Sequence, residues 1–336
     1  MTILYAILMF CALIFIHELG HFIAAKRCGV QVNEFSLGMG PALFKKQKGE
    51  TLYALRALPI GGYCAMEGED GDSDNPRAFN KKKAWQKAII VCAGAAMNVL
   101  LAIVLMCIIS YAVGVATTCI GSFVKGSPAQ QAGLQKGDRI VRIGSRPIDK
   151  WTDVSGALEG YKKGDRAAVT VQRGGTTRTV HTKLMETDGR VLIGIRPKME
   201  KDFFGSIKNG FVSTMGLTGD MYRILKQMFT GQVSTKELSG PVGIVVLVGR
   251  SAKSGFIYLL YLTALISLNL GVFNMLPFPA LDGGRLVFII IRRLTGKVIT
   301  DEIEARINYA GLLLLFGLMI YVTWNDIARF IMPHLQ

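Results

Sequence analysis

Four stretches of the chain carry no charged side chain: Thr2–Ile16, Ala88–Ala116, Ser254–Leu281 and Ile307–Asn325. Crossing the hydrocarbon core of a bilayer takes roughly 20 apolar residues in a helix. The last three stretches meet that length, with Pro277 and Pro279 interrupting the end of the third. The first meets it only by continuing through His17–Ala25, which would put two histidines and a glutamate inside a membrane helix. Between the first two stretches the pattern changes. Val30–Leu37 and Thr51–Leu58 lean towards strand, punctuated by Gly38, Gly40, Pro41, Gly61 and Gly62. The acidic run Glu67–Asp74 reads as a solvated turn: with Asp70 as first ligand of a calcium loop, Asn75 falls at the glycine position and Lys81 at the bidentate one. Arg77–Lys87 reads as a basic interfacial helix anchored by Phe79 and Trp85.

Residues 117–198 mix apolar and polar positions. Strands are predicted at Ile140–Ile143, Ala167–Arg173, Arg178–Lys183 and Val191–Ile195, with a short helix opened by Ser127-Pro128 and closed by Gly133. This is a small β-rich domain inserted between the second and third spans. Over Phe203–Phe229, apolar residues recur at helical spacing (Phe204, Ile207, Phe211, then Met221, Ile224, Leu225, Met228), as in amphipathic helices lying on a membrane surface.

Composition supports the membrane reading, since half of the 336 residues are hydrophobic and 19% charged. The first span lacks the basic start and small-residue cleavage site of a signal peptide, its first basic residue being Lys26, so it reads as a retained helix. Eleven Lys and Arg lie from Lys26 to Lys87, and five between the third and fourth spans (Arg285, Arg292, Arg293, Lys297, Arg306). Basic loops mark the cytoplasmic side, so both termini and the inserted domain are expected outside. The net charge of +15 then suits anionic lipid at the inner face. No aromatic-plus-basic module supports nucleic-acid binding. The six cysteines form no CxxC pair and argue for neither a disulfide framework nor a cysteine metal site.

The chemistry sits in His17-Glu18-Leu19-Gly20-His21. Histidines at i and i+4 share one helix face and can reach one zinc ion, with the intervening glutamate beside a metal-bound water as general base. Asp, Lys or Arg at the middle of a span costs roughly 2.5–3.5 kcal/mol and Glu is comparable, so three titratable side chains there point to a metal site. Zinc needs a third protein ligand, and neither His181 nor His334 suits. Asp282, in Asn274-Met275-Leu276-Pro277-Phe278-Pro279-Ala280-Leu281-Asp282-Gly283-Gly284, is the candidate. By spacing alone it could equally cap the helix that follows.

These motifs, with Gly38-Met39-Gly40-Pro41, Pro59-Ile60-Gly61-Gly62-Tyr63, Ala78–Lys82 with Trp85-Gln86, Gly94 to Asn98 and Ser239–Gly243, resemble the site-2 protease family of intramembrane metalloproteases, in its bacterial regulator-of-sigma-E protease branch. The inserted region is similar to a circularly permuted PDZ domain through Gly126–Ala129, Ala132–Leu134 and Gly137–Ile140. One departure is Ala95, where the family often has proline. The resemblance implies that Asp282 is the third zinc ligand. It also implies a membrane-associated β-hairpin at about residues 30–60 that receives substrate as an added strand, and cleavage of single-span membrane proteins such as anti-sigma factors and remnant signal peptides. Asn98 and Asn274 are candidates to hold the unwound substrate or the oxyanion, or to make hydrogen bonds between spans.

The expected protein is thus a polytopic α-helical membrane protein with four transmembrane helices, a membrane-associated β-hairpin and an inserted β-rich PDZ-like domain, in a bacterial cytoplasmic (inner) membrane. Residues 1–116 and 254–336 form the two halves of the catalytic core, 117–198 the PDZ-like domain and 199–253 interfacial helices. The PDZ-like domain would exclude bulky ectodomains or bind a peptide C-terminus. Two other classes are a PDZ-bearing adaptor with a structural zinc, which would not need Glu18, and a metal transporter, which would need polar groups on several spans.

Overall fold

The structure is a computed structural model that describes the chain except residues 70, 72, 188, 233–239, 297–299 and 331–336, and except the side chains of 60, 229, 301 and 330. Expectations that touch Asp70, Asp72, Ser239, Lys297 and His334 lie outside the described residues. In chain order the elements are α1 (Thr2–Arg27), β1 (Val32–Lys48), β2 (Thr51–Met66), α2 (Ala84–Val113), β3 (Val115–Phe123), α3 (Pro128–Gln131), β4 (Arg139–Ile143), β5 (Arg146–Pro147) and α4 (Thr152–Ala157). There follow β6 (Arg166–Arg173), β7 (Thr176–Lys183), β8 (Met185–Thr187), β9 (Arg190–Leu192), β10 (Ile195–Glu200), α5 (Phe203–Phe229), α6 (Pro241–Ser254), α7 (Phe256–Asn274), α8 (Asp282–Thr295) and α9 (Asp301–Phe330). They form two compact units, residues 1–106 with 210–336, and residues 107–209. The second is wider than the inserted segment read from the sequence.

Four helices, α1, α2, α7 and α9, are long and apolar enough to cross a membrane. They correspond to the four charge-free stretches, and α1 runs unbroken through His17–Ala25. Leu13 of α1 is buried with Val248 of α6 and Ile266 of α7, while Ala102 of α2 packs with Leu225 of α5 and Leu268 of α7. A third cluster, including Ala25, Val30, Phe35, Cys64 and Ile90, lies between α1, α2 and the hairpin.

That hairpin is longer than expected. Gly38, Gly40 and Gly61 do not end strands but bend them, at φ of 86°, 83° and 79°, a region open to glycine without steric cost. The bends double the register: Phe35 is opposite both Cys64 and Tyr53, and Ser36 opposite both Tyr63 and Ala54. Glu34–Leu37 therefore lies between two runs of β2. The Arg56 guanidinium ties these layers together, donating to Ser36 Oγ, Gly40 O, Glu34 Oε1 and Tyr63 Oη. On the far side of Gly62–Met66 no further strand pairs among the described residues.

The interfacial helix expected over Arg77–Lys87 is not formed. Phe79–Lys81 makes one 3-10 turn, Lys82 is extended, and α2 begins at Ala84. The reason is local: the Gln86 side chain accepts the Lys83 N–H at 3.1 Å, one half of a capping box, and so starts the helix there. The helices expected at 203–229 are a single helix, α5, with small buried positions (Ser206, Thr214) and large exposed ones (Phe204, Ile207, Phe211). Helices that associate in an apolar medium pack through small residues, the reverse of a surface helix on a soluble core. At the start of α6, the Gly243 N–H donates to Asp326 Oδ2 of α9 at 2.7 Å. Asp326 is only 1% exposed and satisfies a helix-start N–H that would otherwise be orphaned.

In the second unit the strands run in the order β10-β3-β4-β6-β7, with β5 on β4 and β8–β9 as a separate hairpin. Ile120, Leu134, Ile140, Ile143, Val169, Val171 and Ile193 fill its core; burying such a side chain contributes about 1.5–3 kcal/mol. The predicted strands at β4, β6 and β7 are present. Val191–Ile195 is instead split by Gly194 (φ 85°), and β3 occupies the tail of what the apolar pattern assigns to a span. Ser127 precedes α3 but makes no capping bond, and its Oγ is buried without a partner.

Asp138 is 1% exposed and accepts from Arg173 Nε (2.6 Å), Arg173 Nη2 (2.7 Å) and Gln135 N–H (2.8 Å). Burial raises its pKa, but these bonds outweigh it and hold the carboxyl below the usual range. Removing Arg173 would leave the Asp138 carboxylate without its charge partner. Arg173→Ala is accordingly expected to accelerate hydrogen exchange across β4, β6 and β7 while leaving α1 and α7 unchanged; unaltered exchange in the sheet would show the pair to be dispensable.

Candidate metal centre

The 3.6-residue pitch of a helix places His17 and His21 on one face of α1, about one turn apart. Opposite them, α7 ends at Asn274 and the chain turns through Pro277 and Pro279 before α8 begins. This loop is held in a costly shape: Ala280 has φ 69°, disfavoured by roughly 1–2 kcal/mol for an L-residue. Its N–H donates to Asn308 Oδ1 of α9 at 3.1 Å. Gly283 and Gly284 let α8 press on the loop, since a Cβ there would meet Leu276 O at 2.2 Å and Phe278 O at 2.3 Å. The result is to aim Asp282 at α1. Asp282 is not a cap: Leu281 holds the N-cap position and no side chain caps the helix.

His17 Nε2 lies 3.2 Å from His21 Nε2, and Asp282 Oδ2 lies 3.3 Å and 3.5 Å from them. Zinc with ligands at roughly 2.0–2.2 Å in a tetrahedron separates neighbouring donors by about 3.3–3.6 Å. The triangle has that size. Asp282 Oδ2 is buried and without a hydrogen-bond partner, a costly state for a carboxylate oxygen that a cation would relieve. No other group of three such side chains comes together among the described residues. His21 Nδ1 faces Ile90 O at 2.8 Å, so its proton sits there and Nε2 is left as the donor to a metal.

α2 comes close enough to support both rings because of Gly94. A Cβ at that position would stand 2.2 Å from His21 Nε2 and 2.8 Å from His17 Nε2. Gly94→Ala is expected to displace His21 and lower zinc affinity by at least the 10–100-fold typical of losing an outer-shell partner. Zinc content of the purified variant after dialysis checks it, and wild-type content would mean the rings have room to move.

Glu18 lines the same cavity, of about 480 Å³, together with Tyr63, Cys64, Ala65 and Met66 from the unpaired edge of β2. Asn98 is 0% exposed and does not open onto the cavity; its amide Nδ2 lies 3.3 Å from His17 Nδ1. Asn274 is half-buried, at the last turn of α7. Sequence reasoning missed Glu69 and Arg285. Glu69 was expected in a solvated turn, yet it lines the cavity, pairs with Arg285 one turn after Asp282, and accepts from Met66 N–H at 3.3 Å. Its distant partner, 216 residues along the chain, left no local signal.

The sequence matches Peptidase family M50 over residues 5–318. A relative from Clostridium acetobutylicum that carries a provisional zinc-metalloprotease name is 41% identical, over 97% of this chain and 97% of its own. The zinc metalloprotease RasP of Geobacillus kaustophilus is 32% identical, over 98% of each. Among solved structures, the PDZ domain of an SdrC-like protein from Listeria monocytogenes aligns with 24% of this chain and 84% of its own, at 23% identity and a TM-score of 0.20. The chain belongs to peptidase family M50 and is a zinc metalloprotease.

Proposed function

We propose that the chain cuts single-span membrane proteins within the bilayer of a bacterial cytoplasmic membrane, with His17, His21 and Asp282 as zinc ligands and Glu18 as general base. Substrates of this class include anti-sigma factors and remnant signal peptides. The observation that carries the reading is the triangle of donors at zinc-ligand spacing, set between helices apolar enough to span and opening onto the cavity that the free strand edge lines. A helix hides its carbonyls in its own hydrogen bonds, so a membrane substrate has to unwind to be cut. The Gly62–Met66 edge offers the unwound segment a ladder of backbone partners, as in strand addition.

Bound at this site, zinc lowers the pKa of water and polarises the scissile carbonyl. Glu18 takes the proton of the attacking water on its carboxylate, the hydroxyl adds to the carbonyl carbon, and Glu18 returns the proton to the amide nitrogen as the C–N bond breaks. His21 keeps its Nδ1 proton on Ile90 O throughout. Asn274, beside the loop that carries Asp282, is assigned to hold the unwound substrate. Both termini and the PDZ-like segment, residues 117–198, lie outside the cytoplasm in this reading. That PDZ-like unit screens substrates by size, so that cleavage inside the membrane follows an earlier cut outside it.

The test is metal removal with a defined substrate. Purified protein in lipid nanodiscs is incubated with a single-span peptide, stripped with a chelator, and reloaded. Cleavage within the span that vanishes on stripping and returns with zinc supports the proposal. Cleavage that persists in protein shown to hold no zinc would sink it.

A further inference from the structure

The two histidines direct Nε2 towards Asp282, so each must keep its ring proton on Nδ1 if a neutral imidazole is to offer Nε2 to a metal. Something has to accept that proton in each case. His21 uses the backbone carbonyl of Ile90. For His17 the group at Nδ1 is the side-chain amide of Asn98, 3.3 Å away. Asn98 is wholly buried, and its Oδ1 has no hydrogen-bond partner.

The two ends of an amide are alike in shape, and only their partners decide which end points where. With Nδ2 towards His17, a protonated Nδ1 would meet a second donor while a buried oxygen stayed unsatisfied. Turning the amide by half a revolution puts Oδ1 on the Nδ1–H instead. We propose that Asn98 is a positioning residue for the metal site: its Oδ1 accepts the Nδ1 proton of His17, selects the tautomer and fixes the plane of the ring. This rests on His17 being a zinc ligand.

The surroundings suit that work. The Asn98 carbonyl accepts from Ser267 Oγ of α7 at 2.8 Å, and Ser267 is itself buried, so this turn of α2 is pinned. Gly94, one turn earlier, gives both rings their place against α2. The Gly94–Asn98 spacing thus serves the histidine pair twice, once by leaving space and once by accepting a proton. Being closed off from the cavity, Asn98 acts through His17 and not on substrate. The two ligands also differ: a backbone carbonyl orients His21 whatever residue stands at position 90, whereas a single substitution removes the acceptor for His17.

The experiment compares zinc affinity, by chelator competition, in full-length wild type, Asn98→Leu and Asn98→Asp, alongside melting of the metal-free proteins and KM for a single-span peptide at saturating zinc. Asn98→Leu is expected to weaken zinc binding 10–100-fold without changing the metal-free melting temperature. Asn98→Asp, which keeps an acceptor in place, should stay within a few-fold of wild type, and KM should not move for either. If the leucine variant does not accumulate, Asn98→Ala takes its place. Wild-type zinc affinity in the leucine or alanine variant would overturn the proposal, as would an aspartate variant that falls as far. A rise in KM at unchanged zinc affinity would return Asn98 to a substrate role. A wild-type protein that binds no zinc is a different failure, of the metal-site reading on which this depends.

Discussion

Glu18→Gln is expected to retain zinc at the wild-type ratio and to lose cleavage by 10²–10⁴-fold in kcat, the usual worth of a positioned general base. Glutamine keeps the shape of the side chain and cannot take a proton. Nothing in the donor triangle uses Glu18: the atoms that meet there are His17 Nε2, His21 Nε2 and Asp282 Oδ2. Zinc content and cleavage therefore separate in this variant, and both are measured on one preparation. A glutamine enzyme that cuts at the wild-type rate would remove the assigned mechanism. It would leave the adaptor alternative no stronger, because an adaptor does not cut at all.

Asp282→Ala is expected to do the opposite and lose the metal first. Two histidines one turn apart make an incomplete site, and the third donor carries the negative charge that offsets part of the cation's. The loss should exceed the 10–100-fold that follows from disturbing an outer-shell partner. Because Asp282 holds no capping bond, α8 should persist in the variant. Zinc titration checks the first expectation and hydrogen exchange over Asp282–Thr295 the second. Full zinc occupancy in the alanine variant would remove Asp282 from the ligand set.

What the sequence made legible follows from the range of each signal. The four helices of span length and the strands β4, β6 and β7 are written in runs of neighbouring residues. The histidine pair needs only the pitch of one helix. Asp282 was legible as a candidate because prolines interrupt an apolar stretch beside it, but spacing left a cap equally open; the loop through Ala280 and Asn308 is what aims it. Glycine inside β1 and β2 read as punctuation, since pattern alone does not tell a bend from an end. Asp326, just beyond the expected last span, gave no sign that it would close the start of α6. Glu69 and Asn98 take their meaning from partners 216 and 81 residues away, and no periodicity reports a contact of that kind.

The donor set comes from two segments far apart in the chain. His17 and His21 emerge during synthesis roughly 260 residues before Asp282, on the order of ten to fifty seconds at 5–20 residues per second. The loop that aims Asp282 needs Asn308 as well, which emerges later still. On the proposed ligand set, α1 is therefore made with only two of three donors, and the centre closes once α9 has been made. Under the proposed function, the protease is unable to cut its neighbours in the membrane, or itself, until the segment carrying Asn308 has been made.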